Sequence, residues 1–299
     1  MKNSLIILVL WAMGTYAGAQ TLDPYILGAT SKQEISDLKP LLEKALTGQG
    51  FIIAGDYNPM NDPDRWVVVV SHNELISAVQ KIGGLTGFAA TLRVAATKES
   101  GVVNITYTNP LYWGNAYFRN DFDKVAQHYD ALAAAFTAMS QAVGTFDGAP
   151  FGSEKGVEVD KLRKYHYMFG MPYFDDTKEL GEFDNQQAAI DKIDGNLAAG
   201  KPGVALVYKF QIPNTELTLY GLALSGEKGE ENFLPTIDIS SPQHTAFLPY
   251  EMLVSSGDVY MLHGRFRIAL SFPDLTMGTF TKIMSTPGDI QDLLSQLTE

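Results

Sequence analysis

Residues 92–110 read LRVAATKESGVVNITYTNP, a β-hairpin written as alternation. Leu92, Val94 and Ala96 alternate with Arg93, Ala95 and Thr97, in a pattern that begins at Phe88 and Ala90. That period of two marks a strand. Lys98 to Gly101 supplies the turn, and Val103, Ile105 and Tyr107 carry the return strand to Asn109-Pro110. A longer helix is predicted next, with Phe122, Val125, Tyr129, Leu132, Phe136 and Val143 on one face.

Upstream of the hairpin, Tyr25 to Gly28 reads as a short strand. Ile35, Leu38, Leu41, Leu42, Ala45 and Leu46 then recur at helical spacing, with Ser36 or Asp37 as the cap, Pro40 near the start, and Gly48 and Gly50 at the end. Phe51–Ala54 and Trp66–Val70 are strand-like, and the second is apolar enough to be buried on both faces. Ser71-His72-Asn73-Glu74 has capping-box spacing and opens a helix striped with Leu75, Ile76, Val79 and Ile82, closed by Gly83.

Downstream, the same order recurs. Tyr167-Met168-Phe169-Gly170 parallels Tyr25 to Gly28. Asp184 caps a helix bearing Ala189, Ile190, Ile193 and Leu197, ended by Gly200. Val204–Ile212 and Leu217–Leu224 are strands. Leu248 to Val254 leads through a Ser-Ser-Gly-Asp turn into a strand from Val259 to Phe272. Thr286 caps a last helix, with Pro287 at its first position and Ile290, Leu293, Leu294 and Leu297 inward. In place of the helix after Val70, the second copy has a polar run, Ser225 to Asn232, and a stretch broken by Pro235 and Pro242. The expected fold is therefore α+β, with two similar halves, each an antiparallel-rich sheet backed by helices. Residues 20–148 form the first domain and 157–299 the second. Gly144 to Gly156 connects them, with Phe146 and Phe151 packed against a neighbour.

The N-terminus reads as a signal peptide over residues 1–19. Lys2 is the only charge before Asp23, Leu5 to Met13 is apolar, and Ala17-Gly18-Ala19 precedes the expected cleavage site. An uncleaved anchor is the competing reading. The expectation is a periplasmic or secreted protein with no integral membrane segment once the signal is removed. The chain has no cysteine, which excludes disulfides, thiolate nucleophiles and cysteine-ligated metals. Its formal charge of −12 argues against nucleic-acid binding, because an acidic surface repels a phosphate backbone.

Three stretches carry a family resemblance: FLPYEMLVSSGDVYMLHGRFRIALSFPDL, LLEKALTGQGFIIAGDY and RVAATKESGVVNITYTNP. They resemble the core, the opening helix and strand, and the hairpin of domain-of-unknown-function family 302, taken as two tandem copies. The resemblance implies a small α+β domain that associates in pairs, hence a homodimer, and it implies no enzymatic activity. The first copy departs from it by having Leu85-Thr86 where the second has Leu248-Pro249.

No nucleophile elbow, Walker loop, dinucleotide fingerprint or His-Glu-x-x-His occurs. Asp121-Phe122-Asp123 starts like a calcium loop but lacks its glycine and closing glutamate. No cofactor and no metal site are expected. His72 and His128 read as structural, whereas His166 and His263 fall on strand-like segments. Asn109 to Phe118 reads as a loop whose Tyr112, Trp113 and Tyr117 form an aromatic platform, with Asn109 and Asn115 as directional hydrogen-bonding groups. The competing reading is that these aromatics cover the sheet end and the seam between halves. Tyr173 and Asp175, with Asp176, form a second candidate cluster, and Arg265 and Arg267 share a strand face. The favoured function is non-catalytic binding of a small molecule or a protein partner, through the cleft between halves or a sheet face. The alternatives are a hydrolase or isomerase using Asp175 with His166, and a structural or assembly factor.

Overall fold

A computed structural model describes residues 20–299; the expected signal peptide lies outside the described residues. The chain enters through β1 (Thr21–Leu22) and β2 (Tyr25–Ser31). It continues through α1 (Ile35–Gly48), β3 (Ile52–Tyr57), β4 (Arg65–Ser71), α2 (Asn73–Ile82), β5 (Leu92–Glu99) and β6 (Val102–Thr108). Two helices follow, α3 (Pro110–Phe118) and α4 (Ala126–Val143), then β7 (Thr145–Phe151), β8 (Val157–Glu158) and α5 (Val159–Leu162). The remainder is β9 (Lys178–Glu182), α6 (Gln186–Ala199), β10 (Val204–Gln211), β11 (Leu217–Leu224), α7 (Glu230–Ile237), β12 (Tyr250–Ser255), β13 (Asp258–Met261), α8 (Gly264–Ser271), α9 (Met277–Lys282) and α10 (Thr286–Ser295).

The fold is α+β, with antiparallel sheets backed by helices. The first sheet runs β3-β4-β5-β6-β2-β7 and the second β10-β11-β12-β13-β9. In chain order, strand one of each set sits beside strand five, and a helix follows strands one and three. The first sheet alone gains an outer strand, β7. The short pair β1–β8 ties Thr21 to Glu158.

Helices α1, α2 and α4 pack together, with α4 also against β2. The opposite face of this sheet is covered as well. Val67, Val68, Val69 and Val70 of β4 are all fully buried, so neither face meets solvent. The cover comes from the second half, where the turn Thr245–Phe247 lies across β4, β5 and β6. At the sheet edges, β3 meets β10 closely. A Cβ on Gly55 would sit 2.3 Å from the Val207 carbonyl oxygen, so this approach requires glycine.

Several expected features take other forms. Helix α1 starts one residue earlier than its expected caps, after Glu34, and α2 is capped by the His72 ring, which accepts from the Glu74 amide at 3.1 Å. Asn185, not Asp184, caps α6, and Ser285, not Thr286, precedes α10. Residues 145–151 form a strand instead of a connection; as the outermost strand it tolerates Pro150, which has no N–H to donate. Tyr167 to Gly170 is loop, and the strand opening the second half is β9. A helix, α7, does occupy the stretch around Pro235; its first turn carries Glu230 and Glu231, which favour the positive helix end.

The expected strand from Val259 to Phe272 is β13 followed by α8, so Arg265 and Arg267 lie on a helix. The cause is tertiary. Gly264 packs against Pro287, where a Cβ would approach within 2.9 Å. The buried Arg267 guanidinium lies 4.9 Å from the Trp113 ring and 5.0 Å from that of Phe247.

Candidate functional site

The expected aromatic platform is a helix in the core. Asn109 caps α3 by accepting from the Leu111 amide (3.2 Å), and its side-chain amide donates to the Asp23 carbonyl (2.8 Å). Tyr112 is fully buried and donates to the Leu270 carbonyl at 2.8 Å, while Trp113 donates to that of Pro24 at 2.8 Å. Asn115 donates to Leu111 and accepts from Arg163, which is also paired with Asp123. Tyr117 stacks on Phe174 at 5.1 Å. Tyr112, Asn115 and Tyr117 reach across to the second half, and all five side chains are buried. The loop reading failed because aromatics on every side of a turn, under the helix-starting Asn109-Pro110, signal a helix covered all round.

The second cluster does not converge either. Asp175 pairs with Arg119 at 2.6 Å, and the Asp176 carboxylate accepts from the Tyr173 amide at 2.9 Å. His166 is in a loop, not a strand; its ring lies 4.6 Å from that of Tyr173, and no hydrogen bond joins it to Asp175 among the described residues. His263 caps α8, and its ring accepts from the Arg265 amide at 3.2 Å. Among the described residues there is no group of three metal-ligating side chains, and no helix is long and apolar enough to cross a membrane.

A cleft of about 380 Å³ opens elsewhere between the halves, within the size range of small-molecule sites. The first half contributes the end of β7 and the turn after it, Phe151 to Glu154. The second contributes the end of α7 and the following turn (Ile237, Ile239, Pro242, His244), and the loop from α8 into α9 (Phe272 to Thr279). Its wall is mostly apolar: Phe151, Ile237, Ile239, Pro242, Phe272 and Leu275. Gly152 is needed here, since its φ is +103° and a Cβ would meet Pro24 at 2.7 Å and Tyr25 at 2.9 Å.

His244 is the histidine of this wall. It is 7% exposed, and its ring lies 4.7 Å from Phe272, 5.0 Å from Tyr25 and 5.7 Å from Phe151. Burial pushes the imidazole pKa down to about 4, so the ring is neutral at pH 7. Ser240 Oγ lies 3.4 Å from its Nε2, Nδ1 is shut off from solvent, and a hydrogen bond to the Ser271 backbone opposes the downward shift without cancelling it. The backbone around it is clamped: the His244 amide donates to Asp238 at 2.7 Å, and Asp238 also accepts from Arg65 of β4 at 3.1 Å. On the opposite lip, Asp274 accepts from the Glu154 amide at 2.6 Å, and Tyr167 donates to the Leu275 carbonyl at 2.5 Å.

Sequence reasoning missed His244. It follows the proline-broken run Ser240 to Gln243, with no periodicity or neighbouring ligand to mark it. Its environment comes from rings on β2, β7 and the end of α8, all remote in sequence. Neither a protein-family model, nor a curated protein, nor a solved structure matches this chain.

Proposed function

We propose that this is an exported binding protein that holds a small, largely apolar ligand in the cleft between its halves. The observation that carries the reading is the cleft around His244. An apolar wall supplies affinity by burial, at roughly 25 cal/mol per Å² removed from water. The neutral His244 ring, packed against Phe272, Tyr25 and Phe151, adds a further ring to that wall. Export is supported by Lys2, the apolar Leu5–Met13 stretch and Ala17-Gly18-Ala19. The matching strand order of the two sheets supports descent from a duplicated domain.

The test is a thermal-shift screen of small apolar alcohols and ketones, run on the wild-type protein and on Ile239→Trp. Ile239 is 77% exposed at the cleft mouth, so the larger side chain fills the entrance without disturbing the core. A ligand at a hundred times its Kd adds about 2.7 kcal/mol to stability, a readily visible rise in Tm. Wild type should respond and Ile239→Trp should not. Equal responses would remove the cleft as the binding site.

A further inference from the structure

We infer that the cleft selects ligands carrying an ammonium group on an apolar body and discriminates against carboxylates; this rests on the cleft being a binding site. Its charged lining is of one sign. Glu154 and Asp274 are both at the mouth, and among the described residues no lysine or arginine lines the cavity. The two are held together at one lip by the hydrogen bond from the Glu154 amide to the Asp274 carboxylate. Asp23, next to this lip, has a carboxyl pKa raised mainly by burial and also by the charge of Asp274, although a Ser153 backbone hydrogen bond opposes the rise. A third carboxyl group therefore sits within electrostatic reach of the same edge.

Deeper in, the one ionisable side chain adds no positive charge. His244 is enclosed by Tyr25, Phe151 and Phe272 and is neutral at pH 7. A carboxylate ligand entering this space finds no counter-charge and faces two like charges at the entrance, which water only partly screens. An ammonium at the mouth meets both carboxylates, while its apolar body takes the wall formed by Ile237, Pro242, Phe272 and Leu275.

The experiment uses three probes of nearly one shape: 4-phenylbutylamine, 4-phenylbutanol and 4-phenylbutanoate, titrated calorimetrically at pH 7 in low salt. Wild type should bind the amine about fivefold more tightly than the alcohol, and the butanoate about fivefold more weakly, the size expected of exposed ion pairs. The order should compress in 0.5 M salt. It should vanish in Glu154→Gln/Asp274→Asn, which keeps the Asp274-position acceptor. If all three bind alike, or the butanoate binds best, the charge selection is wrong while the cleft stands as a site. If none binds wild type at millimolar concentration, both readings fall.

Discussion

Arg93 of β5 and Glu251 of β12 form an ion pair between the two sheets, with side chains only 1% and 2% exposed. Thr91 donates to the same carboxylate at 3.2 Å, and the Tyr208 hydroxyl of β10 also donates to it. Three strands of two sheets thus meet on one charge. Desolvating both ions offsets most of their attraction, so the pair matters chiefly when it is broken.

Arg93→Met should therefore cost about 3–5 kcal/mol, because it leaves Glu251 buried and uncompensated. Adding Glu251→Gln, which keeps an acceptor for Thr91 and Tyr208, should recover most of that loss. Urea denaturation of the single and double variants checks this. A single-variant cost below about 1 kcal/mol would mean that the pair is hydrated.

Glu230 provides a pH test. It is almost fully buried and accepts from the Tyr57 hydroxyl (2.8 Å), the Met60 amide (3.2 Å) and the Leu224 amide (3.2 Å). Burial outweighs these bonds and pushes its pKa up to about 7. A carboxyl whose folded pKa lies above its unfolded value stabilises the fold fully below the unfolded value, and that stability is lost as pH rises through about 7. The loss should approach about 3.5 kcal/mol, at roughly 1.4 kcal/mol per pH unit. His244 works oppositely: its stabilisation is present above pH 6.5 and is lost as pH falls through about 4. Glu230→Gln should shrink the decline between pH 4.5 and 7 and abolish it above pH 6, as read from urea midpoints; below pH 6 Asp238, pushed up to about 6 by burial, keeps a decline of its own. A wild-type decline preserved in the variant would exonerate Glu230.

Trp113→Ala should destabilise by about 3–5 kcal/mol through the cavity it leaves. It also removes the donor to Pro24 and one ring beside Arg267. Affinity of any cleft ligand should stay within twofold at a temperature where the variant is folded. A large loss of affinity with little loss of stability would return the α3 aromatics to the binding site.

Local pattern was enough wherever a segment's neighbours only had to be apolar. The alternation of residues 92–108 yields β5 and β6, Leu217–Leu224 coincides with β11, and the uninterrupted valines of β4 are buried on both faces as expected. Period is a property of the backbone, and it reads the same before and after folding. Packing decided the rest. Residues 264–271 alternate polar and apolar like a strand, yet wind into α8, where Gly264 meets Pro287 and Arg267 is enclosed by Trp113 and Phe247. His244 is equally ambiguous in the sequence. Its low pKa exists only because Tyr25, Phe151 and Phe272 converge on it, and desolvation depends on distant parts of the chain that no local spacing records.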